Sequence, residues 1–160
     1  MHKLNFKETN FNLKIILVEP SGPLNVGSIA RLCSNFNVDQ LRIVSPKCDI
    51  NSLETKKMAL KGMKYITECT IYESLIESIS DCDLVLATCG RIDYQKGYEL
   101  NSLEDISSWT KNFKELKNLA ILFGREDRGL TNKPKSVIGT NPKTIPQSKG
   151  SIICNFNLLN

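Results

Sequence analysis

The sequence predicts an α/β fold in which a mostly parallel sheet carries helices on both faces. Short apolar runs, each long enough for one buried strand, alternate along the chain with segments of helical pattern. Tightly turning polar loops follow the first and the last of these runs. Because open parallel sheets bind ligands at the carboxyl ends of their strands, the two loops predict a site at one edge of the sheet.

The first element is a strand predicted from Lys14 to Glu19, because residues 15–18 form an uninterrupted apolar run. A loop follows, whose path is fixed by two prolines and two glycines, and it leads into a helix. Asn25 lies where its side chain either caps this helix or faces a ligand above the strand. Arg31 falls about one and a half turns into the helix. Taken alone, a helix cap and a solvated arginine are the ordinary interpretations of these two residues.

The next elements alternate regularly. The first helix is predicted to end near Asn35, the second strand covers residues 41–44, and the second helix runs from Ser52 to Lys61 with a left-handed C-cap at Gly62. The remaining predicted elements are a strand at 70–72, a helix at 74–80 with Leu75, Ile76 and Ile79 on one face, a strand at 84–88, a long polar loop at 89–101 of the kind that carries function, a helix at 103–111 and a strand at 119–123.

Composition divides the chain into three parts. Residues 1–13 are a polar lead-in, residues 14–132 form the α/β domain, and residues 133–160 are a tail of different composition. The tail holds four lysines and no acidic residue, whereas the rest of the chain balances at 17 basic and 17 acidic residues. The net charge of +4 therefore gives only weak support for nucleic-acid binding, since all of it comes from the tail.

Cysteine and histidine usage excludes some classes of site. The six cysteines contain no C-x-x-C pair and His2 is the only histidine, so no metal site is predicted, and free thiols in a reducing compartment are favoured. No apolar run is long enough to span a bilayer and no secretory signal is recognisable, so the protein is expected to be cytoplasmic and to have no membrane partner.

The loop after the last strand, Gly124 to Leu130, holds two arginines and two carboxylates between glycines. One interpretation is a solvated turn whose charges compensate each other. Paired with the loop after the first strand, which emerges at the same edge of a parallel sheet, it gains a functional interpretation. Neither loop carries the glycine signature of a dinucleotide site or of a P-loop.

With both loops in view, the chain resembles the SpoU-type RNA 2'-O-ribose methyltransferases of the SPOUT superfamily, and among them the TrmJ-like tRNA methyltransferases. The first family motif is matched by Glu19-Pro20 together with Asn25, Gly27 and Arg31. The second is matched by FGRE at 123–126 and RGLTN at 128–132. The resemblance covers residues 13–132.

The resemblance implies S-adenosyl-L-methionine as methyl donor, RNA as substrate, with tRNA favoured over rRNA, no metal, a homodimer with the site near its interface, and a trefoil knot in the C-terminal part of the sheet. By the same resemblance, the catalytic residues are Asn25, Arg31, Glu126 and, through a degraded third motif at 155–158, Asn157. The donor is expected in loops after three strands, at Thr88, Cys89, Gly90, Gly124 and Ile145.

The chemistry refines the role of Arg31. The family's arginine is sometimes assigned as the base, but a guanidinium stays protonated in proteins. We therefore expect Arg31 to act across the dimer, holding the phosphate beside the ribose and stabilising the forming alkoxide. Asn25 and Glu126 are expected to orient Arg31 and the ribose, Glu126 through a charge-assisted hydrogen bond.

After Asn132 the sequence departs from the family pattern. Two prolines and a glycine in residues 133–142 exclude a regular helix of the family's usual length, and the chain ends three residues after Asn157, so we expect an incomplete knot. This leaves three alternatives open. They are an active enzyme whose divergent tail still closes the pocket, a truncated and inactive protein or RNA-binding module, and a Rossmann-like enzyme that uses another nucleotide cofactor.

Overall fold

The computed structural model describes residues 10–88, 115–127 and 130, together with the backbone of two short strands at 99–100 and 152–154. Seven strands lie within these residues: β1 (Asn12–Val18), β2 (Gln40–Val44), β3 (Thr70–Tyr72), β4 (Leu84–Thr88), β5 (Glu99–Leu100), β6 (Asn118–Phe123) and β7 (Ile152–Cys154). They form one sheet in the order β3-β2-β1-β6-β4-β7-β5, and every neighbouring pair is parallel. The predicted α/β class is confirmed.

The described helices cover both faces of this sheet. They are α1 (Pro23–Phe36), α2 (Leu53–Ala59), a 3₁₀ turn (Leu60–Gly62), α3 (Met63–Glu68) and α4 (Leu75–Ser78). Side chains from α1, α2 and α3 share a core cluster with Ile15, while α4 packs into a second cluster with Ile16. Successive residues of a strand point to opposite faces, so β1 supplies both cores. In this part of the chain no helix is both long enough and apolar enough to cross a bilayer.

All five predicted strands are found within two residues of their expected bounds. The strand at 84–88 is matched in full, whereas β1 begins at Asn12 and ends before Glu19, whose φ of 51° belongs to the turn. β5 lies within residues 89–101, where the sequence predicts a loop, and β7 lies in the tail, where it predicts no strand; β7 pairs with both β4 and β5. The predicted helix at 103–111 and the knot lie outside the described residues.

Helix α1 starts earlier than predicted. Its N-cap is Gly22 and Pro23 occupies the first position, where proline's fixed φ suits a helix and its missing N–H costs nothing. Asn25 therefore lies inside the first turn, and the alternative in which it caps the helix is wrong. Gly27 is helical rather than part of the loop. A Cβ there would lie 2.5 Å from the Thr55 carbonyl oxygen, so the missing side chain lets α1 and α2 approach closely.

Two further predictions on the helices are corrected. Gly62 has a φ of −77°, so it is not a left-handed cap; Leu60 takes the positive φ, at 48°. Gly62 is required for space instead, because a Cβ there would meet the backbone of Ala30 and Arg31. The sequence predicts Leu75, Ile76 and Ile79 on one helix face, but Ile76 is 59% exposed, because α4 spans only four residues and buries Leu75 and the following Ile79.

A buried ion cluster lies towards the amino edge of the sheet, the edge at which the strands begin. Lys14 and Arg42 are 7% and 4% exposed, and both bind Asp81, with closest N–O distances of 2.6 Å. Two oxygens of Asp81 receive the Arg42 guanidinium, at 2.6 and 2.8 Å. Arg42 and Lys14 together hold the pKa of the Asp81 carboxyl well below its ordinary value, against the opposing effect of burial.

The sheet order places two loops side by side at the opposite, carboxyl edge. From β1 the chain moves outward to β2 and β3, while β6 and β4 lie on the other side of β1. Leu17 is in register with Phe123, so the chain leaves β1 and β6 at adjacent points. This reversal of strand order is where doubly wound sheets open a crevice for ligands.

Candidate active site

The side chain of Glu126 bridges the loops that follow β1 and β6. Its Oε2 accepts hydrogen bonds from the Ser21 hydroxyl at 2.7 Å and the Ser21 backbone amide at 3.1 Å. Its Oε1 accepts one from the backbone amide of Gly22 at 3.3 Å. One carboxylate therefore joins the two predicted motif loops, which are about a hundred residues apart in the sequence.

Asn25 completes this group, which we call the Glu126 clamp (Ser21, Gly22, Asn25 and Glu126). The Asn25 side chain adjoins the Glu126 carboxylate and helps to lower the pKa of that carboxyl. A Cβ added at Gly22 would lie 3.0 Å from the Asn25 Nδ2 atom and 3.6 Å from Glu126 Oε1, so a side chain there would crowd the clamp. The fold thus brings together two of the predicted catalytic residues, Asn25 and Glu126.

Glu126 is ionised in the clamp. Partial burial would raise the pKa of its carboxyl, but hydrogen bonds from its own backbone amide, from Ser21 and from Asn25 outweigh burial and lower the pKa below its ordinary value. These donors are all neutral. The clamp therefore holds a negative charge in a fixed position without cancelling it.

Ser21 belongs to this group but was not among the predicted site residues. Two consecutive backbone amides, at Ser21 and Gly22, point to one carboxylate, and such a pair of N–H groups is a typical anion-binding turn. A hydroxyl residue before a glycine in a proline-bounded loop is the only sequence signal for it. That signal does not say which anion is bound.

Arg31 lies apart from the clamp. It is exposed on α1, six positions after Asn25, which corresponds to about 9 Å along the helix axis and about 120° around it. No hydrogen bond or ion pair joins its guanidinium to Glu126 or to any other residue that the structure describes. The charge-assisted hydrogen bonds of Glu126 go to Ser21, Gly22 and Asn25 instead.

The neighbouring charges of the second loop compensate each other locally. Arg125 donates two hydrogen bonds to the carboxylate of Asp127, both at 2.9 Å. For this pair the interpretation as a self-compensating turn is confirmed. Glu126 lies between the two residues and contacts the other loop, so adjacent positions of one turn serve different purposes.

The predicted donor-binding residues are only partly described. Thr88 ends β4 and its hydroxyl donates to the Leu122 carbonyl oxygen of β6 at 2.9 Å. Gly124 directly follows β6, so both residues lie at the carboxyl edge. Cys154 of β7 is in register with Thr88, and the tail strand therefore ends at the same edge. The predictions that lie outside the described residues are Cys89, Gly90, Ile145 and Asn157.

A buried threonine supports the first turn of α1. The Thr55 hydroxyl donates to the Pro23 carbonyl oxygen at 3.1 Å and lies 3.1 Å from the Ser52 hydroxyl, which in turn caps α2 by accepting from the Thr55 amide. Thr55 is fully buried. The start of α2 is thereby tied to the turn that carries Asn25. Among the described side chains, no group of three or more possible ligands is placed to hold a metal ion.

Comparison with known proteins gives a consistent result. The model of the SpoU rRNA Methylase family matches residues 12–152. The tRNA (cytidine-2'-O-)-methyltransferase TrmJ of Sulfolobus acidocaldarius is 36% identical over 122 residues, which cover 76% of this chain and 50% of that protein. The chain spans about half the length of the curated relatives it matches first.

Solved structures share the fold. TrmJ from Z. mobilis ZM4 superposes with a TM-score of 0.72 at 24% identity, over 89% of this chain and 58% of that one. The SpoU methyltransferase AviRb from Streptomyces viridochromogenes, in complex with the cofactor AdoMet, superposes with a TM-score of 0.61 at 13% identity, over 92% and 51% of the two chains.

Proposed function

Because the chain belongs to the SpoU rRNA Methylase family, we propose that it transfers a methyl group from S-adenosyl-L-methionine to a ribose 2'-hydroxyl of RNA, with tRNA as the substrate. The observation that carries this proposal is the Glu126 clamp, which joins both family motifs at the point where the strand order reverses. The S. acidocaldarius relative, a tRNA (cytidine-2'-O-)-methyltransferase, supports the choice of tRNA. A tRNA substrate agrees with the cytoplasmic location expected from the sequence.

The described residues fit the methyl donor. The ends of β4 and β6 lie next to each other at the carboxyl edge, where the Thr88 hydroxyl donates to the Leu122 carbonyl oxygen. Thr88 and Gly124 would hold the donor, with Cys89, Gly90 and Ile145 from the loops beyond. When bound, S-adenosyl-L-methionine supplies an electrophilic methyl group.

The protein must orient the ribose and assist loss of its proton, because a 2'-hydroxyl is a poor nucleophile. The Asn25 side chain adjoins Glu126, and its amide carbonyl oxygen would accept a hydrogen bond from the 2'-hydroxyl. Glu126 fixes the orientation of that amide. Arg31 contributes a permanent positive charge for the neighbouring phosphate and the developing alkoxide. Asn157 would complete the site from the tail.

A homodimer accounts for the position of Arg31. The exposed side of α1 carries Leu24, Leu32 and Phe36, which are 50%, 43% and 37% exposed, and Leu24 lies within about 20° of Arg31 around the helix. A second copy packed on this face would bury the apolar side chains. It would also carry Arg31 towards the partner's clamp, since Arg31 is displaced from the clamp of its own chain.

The direct test is methyl transfer to bulk tRNA from isotopically labelled S-adenosyl-L-methionine, with 2'-O-methylnucleosides identified after nuclease digestion. We expect incorporation by the wild type, and loss of incorporation in Arg31→Ala with donor binding retained by calorimetry. Lys117→Ala, an exposed cation at the amino edge, is the control. A wild type that binds tRNA without incorporation would identify an inactive RNA-binding module, and full activity of Arg31→Ala would refute the role of Arg31.

A further inference from the structure

The described cations fall into two groups. Lys14, Arg42, Lys47 and Arg125 each form an ion pair with a carboxylate. Within residues 10–88 and 115–127, six cations form none: Arg31, Lys56, Lys57, Lys61 and Lys64 on the helical layer, and Lys117 before β6. The unpaired cations are thus concentrated on the helical layer that contains α1.

The four lysines of the helical layer form a short basic stretch. Lys56 and Lys57 lie in the last turn of α2, Lys61 in the 3₁₀ turn, and Lys64 in the first turn of α3. All four are exposed, and no acidic residue occurs between positions 55 and 67. We call the four residues the lysine ridge.

Close backbone packing fixes the lysine ridge beside α1. The positions of Gly27 and Gly62 leave no space for a Cβ, which would meet Thr55 and Met58 in one case and the backbone of Ala30 and Arg31 in the other. Gly62 directly follows Lys61. The ridge therefore runs next to the helix that bears Arg31.

Helix electrostatics explain only part of this arrangement. Cations in the last turn of a helix interact favourably with its dipole, which accounts for Lys56 and Lys57. Lys64 is at the first turn of α3, where the dipole disfavours a positive charge. Its ammonium lies 4.8 Å from the centre of the Tyr65 ring, which supports the charge there without neutralising it.

We propose that the lysine ridge binds the phosphate backbone of the RNA substrate and extends its contact outward from Arg31. This inference rests on the proposed function and names the surface by which the substrate is held. Lysine ammonium groups bind phosphates as point charges and carry no base specificity. Their contribution therefore lies in affinity and orientation of the RNA, not in the choice of nucleotide.

The test compares tRNA binding by the wild type and by the triple variant Lys56→Gln, Lys57→Gln, Lys61→Gln over a series of salt concentrations. We expect about 10- to 100-fold weaker binding at low salt and a log–log salt slope shallower by about 2 to 3. Donor affinity should be unchanged. The matched triple substitution of the same lysines to arginine should retain binding, and Lys117→Gln, before β6 and outside the ridge, should match the wild type.

Thermal unfolding of each variant shows whether weaker binding comes from loss of the lysine charges or from loss of the fold. Single substitutions replace the triple variant if it unfolds. If the wild type binds tRNA and the glutamine variants bind with the same affinity and salt slope, the inference is overturned while the proposed function stands. If the wild type neither binds nor methylates tRNA, both are overturned.

Discussion

Asp81 and Glu126 are two carboxylates that each join distant segments of the chain, at opposite edges of one sheet. Asp81 receives two buried cations, Lys14 and Arg42, which neutralise it and leave a net positive cluster inside the protein. Glu126 receives only neutral donors, from Ser21, Gly22 and Asn25, and keeps its charge at an exposed edge. The same functional group stabilises the fold in one place and orients polar groups in the other.

The amino edge of the sheet contributes to stability, whereas the carboxyl edge holds a charged group in position for a ligand. A cation that is buried must be paired, because an unpaired one would destabilise the fold strongly. A carboxylate held by amide and hydroxyl groups requires no buried cation. It keeps its charge and presents it to a ligand in a fixed orientation. Substitutions at the amino edge should therefore change stability, and substitutions in the clamp should change activity.

The largest effect is expected from Asp81→Asn. Lys14 and Arg42 would lose their anion while remaining buried, and the free energy of unfolding should fall by about 3 kcal/mol, at the low end for such pairs because Asp81 itself is half exposed. Urea denaturation measures this. Glu77→Gln, an exposed change on α4, should stay within about 0.5 kcal/mol of the wild type. Equal stability of both variants would remove the distinction between the edges.

Glu126→Gln should change activity strongly and stability little, the opposite of Asp81→Asn. The new amide group would direct N–H donors towards donors of Gly22 or Asn25, so methyl transfer should fall about 100-fold, equivalent to about 2.7 kcal/mol in activation free energy. The free energy of unfolding should change by less than about 1 kcal/mol. Glu115→Gln makes the same chemical change before β6, at the amino edge, and should be silent in both assays. A Glu126→Gln enzyme of normal activity would contradict the role given to the clamp.

Gly27→Ala and Gly22→Ala compare a glycine that packs α1 against α2 with a glycine of the Glu126 clamp. The added methyl would overlap the Thr55 carbonyl oxygen and Met58, and the free energy of unfolding should fall by about 2 kcal/mol. At Gly22 the nearest atom is the end of the flexible Asn25 side chain. Compared with Gly27→Ala, Gly22→Ala should therefore lower stability less and methyl-transfer activity more. Parallel denaturation and methyl-transfer assays compare the two, and the opposite ranking would show that the clamp contributes mainly to stability.

Thr55→Val tests whether the helix under the site positions it. Loss of the hydroxyl leaves the Pro23 carbonyl oxygen without its buried partner and should cost about 1 to 2 kcal/mol of stability. Because Pro23 and Asn25 share one turn, kcat should fall several-fold while KM for tRNA stays constant. Thr55→Ser, which keeps the hydroxyl, should restore kcat. A variant that loses stability alone would limit Thr55 to a structural role.

The smallest effect is expected from acid. The folded-state pKa of Asp81 lies below its ordinary value of about 3.9, so its stabilisation is fully present above that pH and is lost as pH falls towards the folded-state pKa. About 1 kcal/mol should be lost by pH 3 after allowance for solvent screening. Unfolding midpoints between pH 6 and pH 3 measure this loss. In Asp81→Asn this part of the pH dependence should be absent, and an unchanged profile would exclude Asp81 as its source.

Local pattern was sufficient to predict five of the seven described strands, namely β1, β2, β3, β4 and β6. The apolar run at 84–88 is long enough for one buried strand and is bounded by polar residues, and β4 has these limits. Asn25 and Glu126 could be selected because each lies in a polar loop directly after such a run. The neighbouring apolar strands then place those loops together, and this contact also follows from parallel pairing.

Contacts between distant segments account for what the sequence did not reveal. Ser21 has no periodic or compositional signal, and its importance rests on a carboxylate 105 positions away. In the sequence Gly62 resembles the C-cap of a helix, yet glycine is required there because a Cβ would overlap the backbone of Ala30 and Arg31. β7 lies in a stretch with proline and glycine nearby, and its strand conformation comes from pairing with β4. Such features depend on the assembled sheet.

The position of β6 between β1 and β4 has a consequence for how the chain folds. Both described partners of β4, β6 and β7, come later in the sequence, so β4 has no sheet neighbour until residues 118–123 have left the ribosome. β1, β2 and β3 can pair as soon as they are made. Pairing across such long sequence separations is slow. The nascent protein therefore pairs β1, β2 and β3 first, and the hydrogen bonds between Ser21 and Glu126 form only after β6 has inserted between β1 and β4.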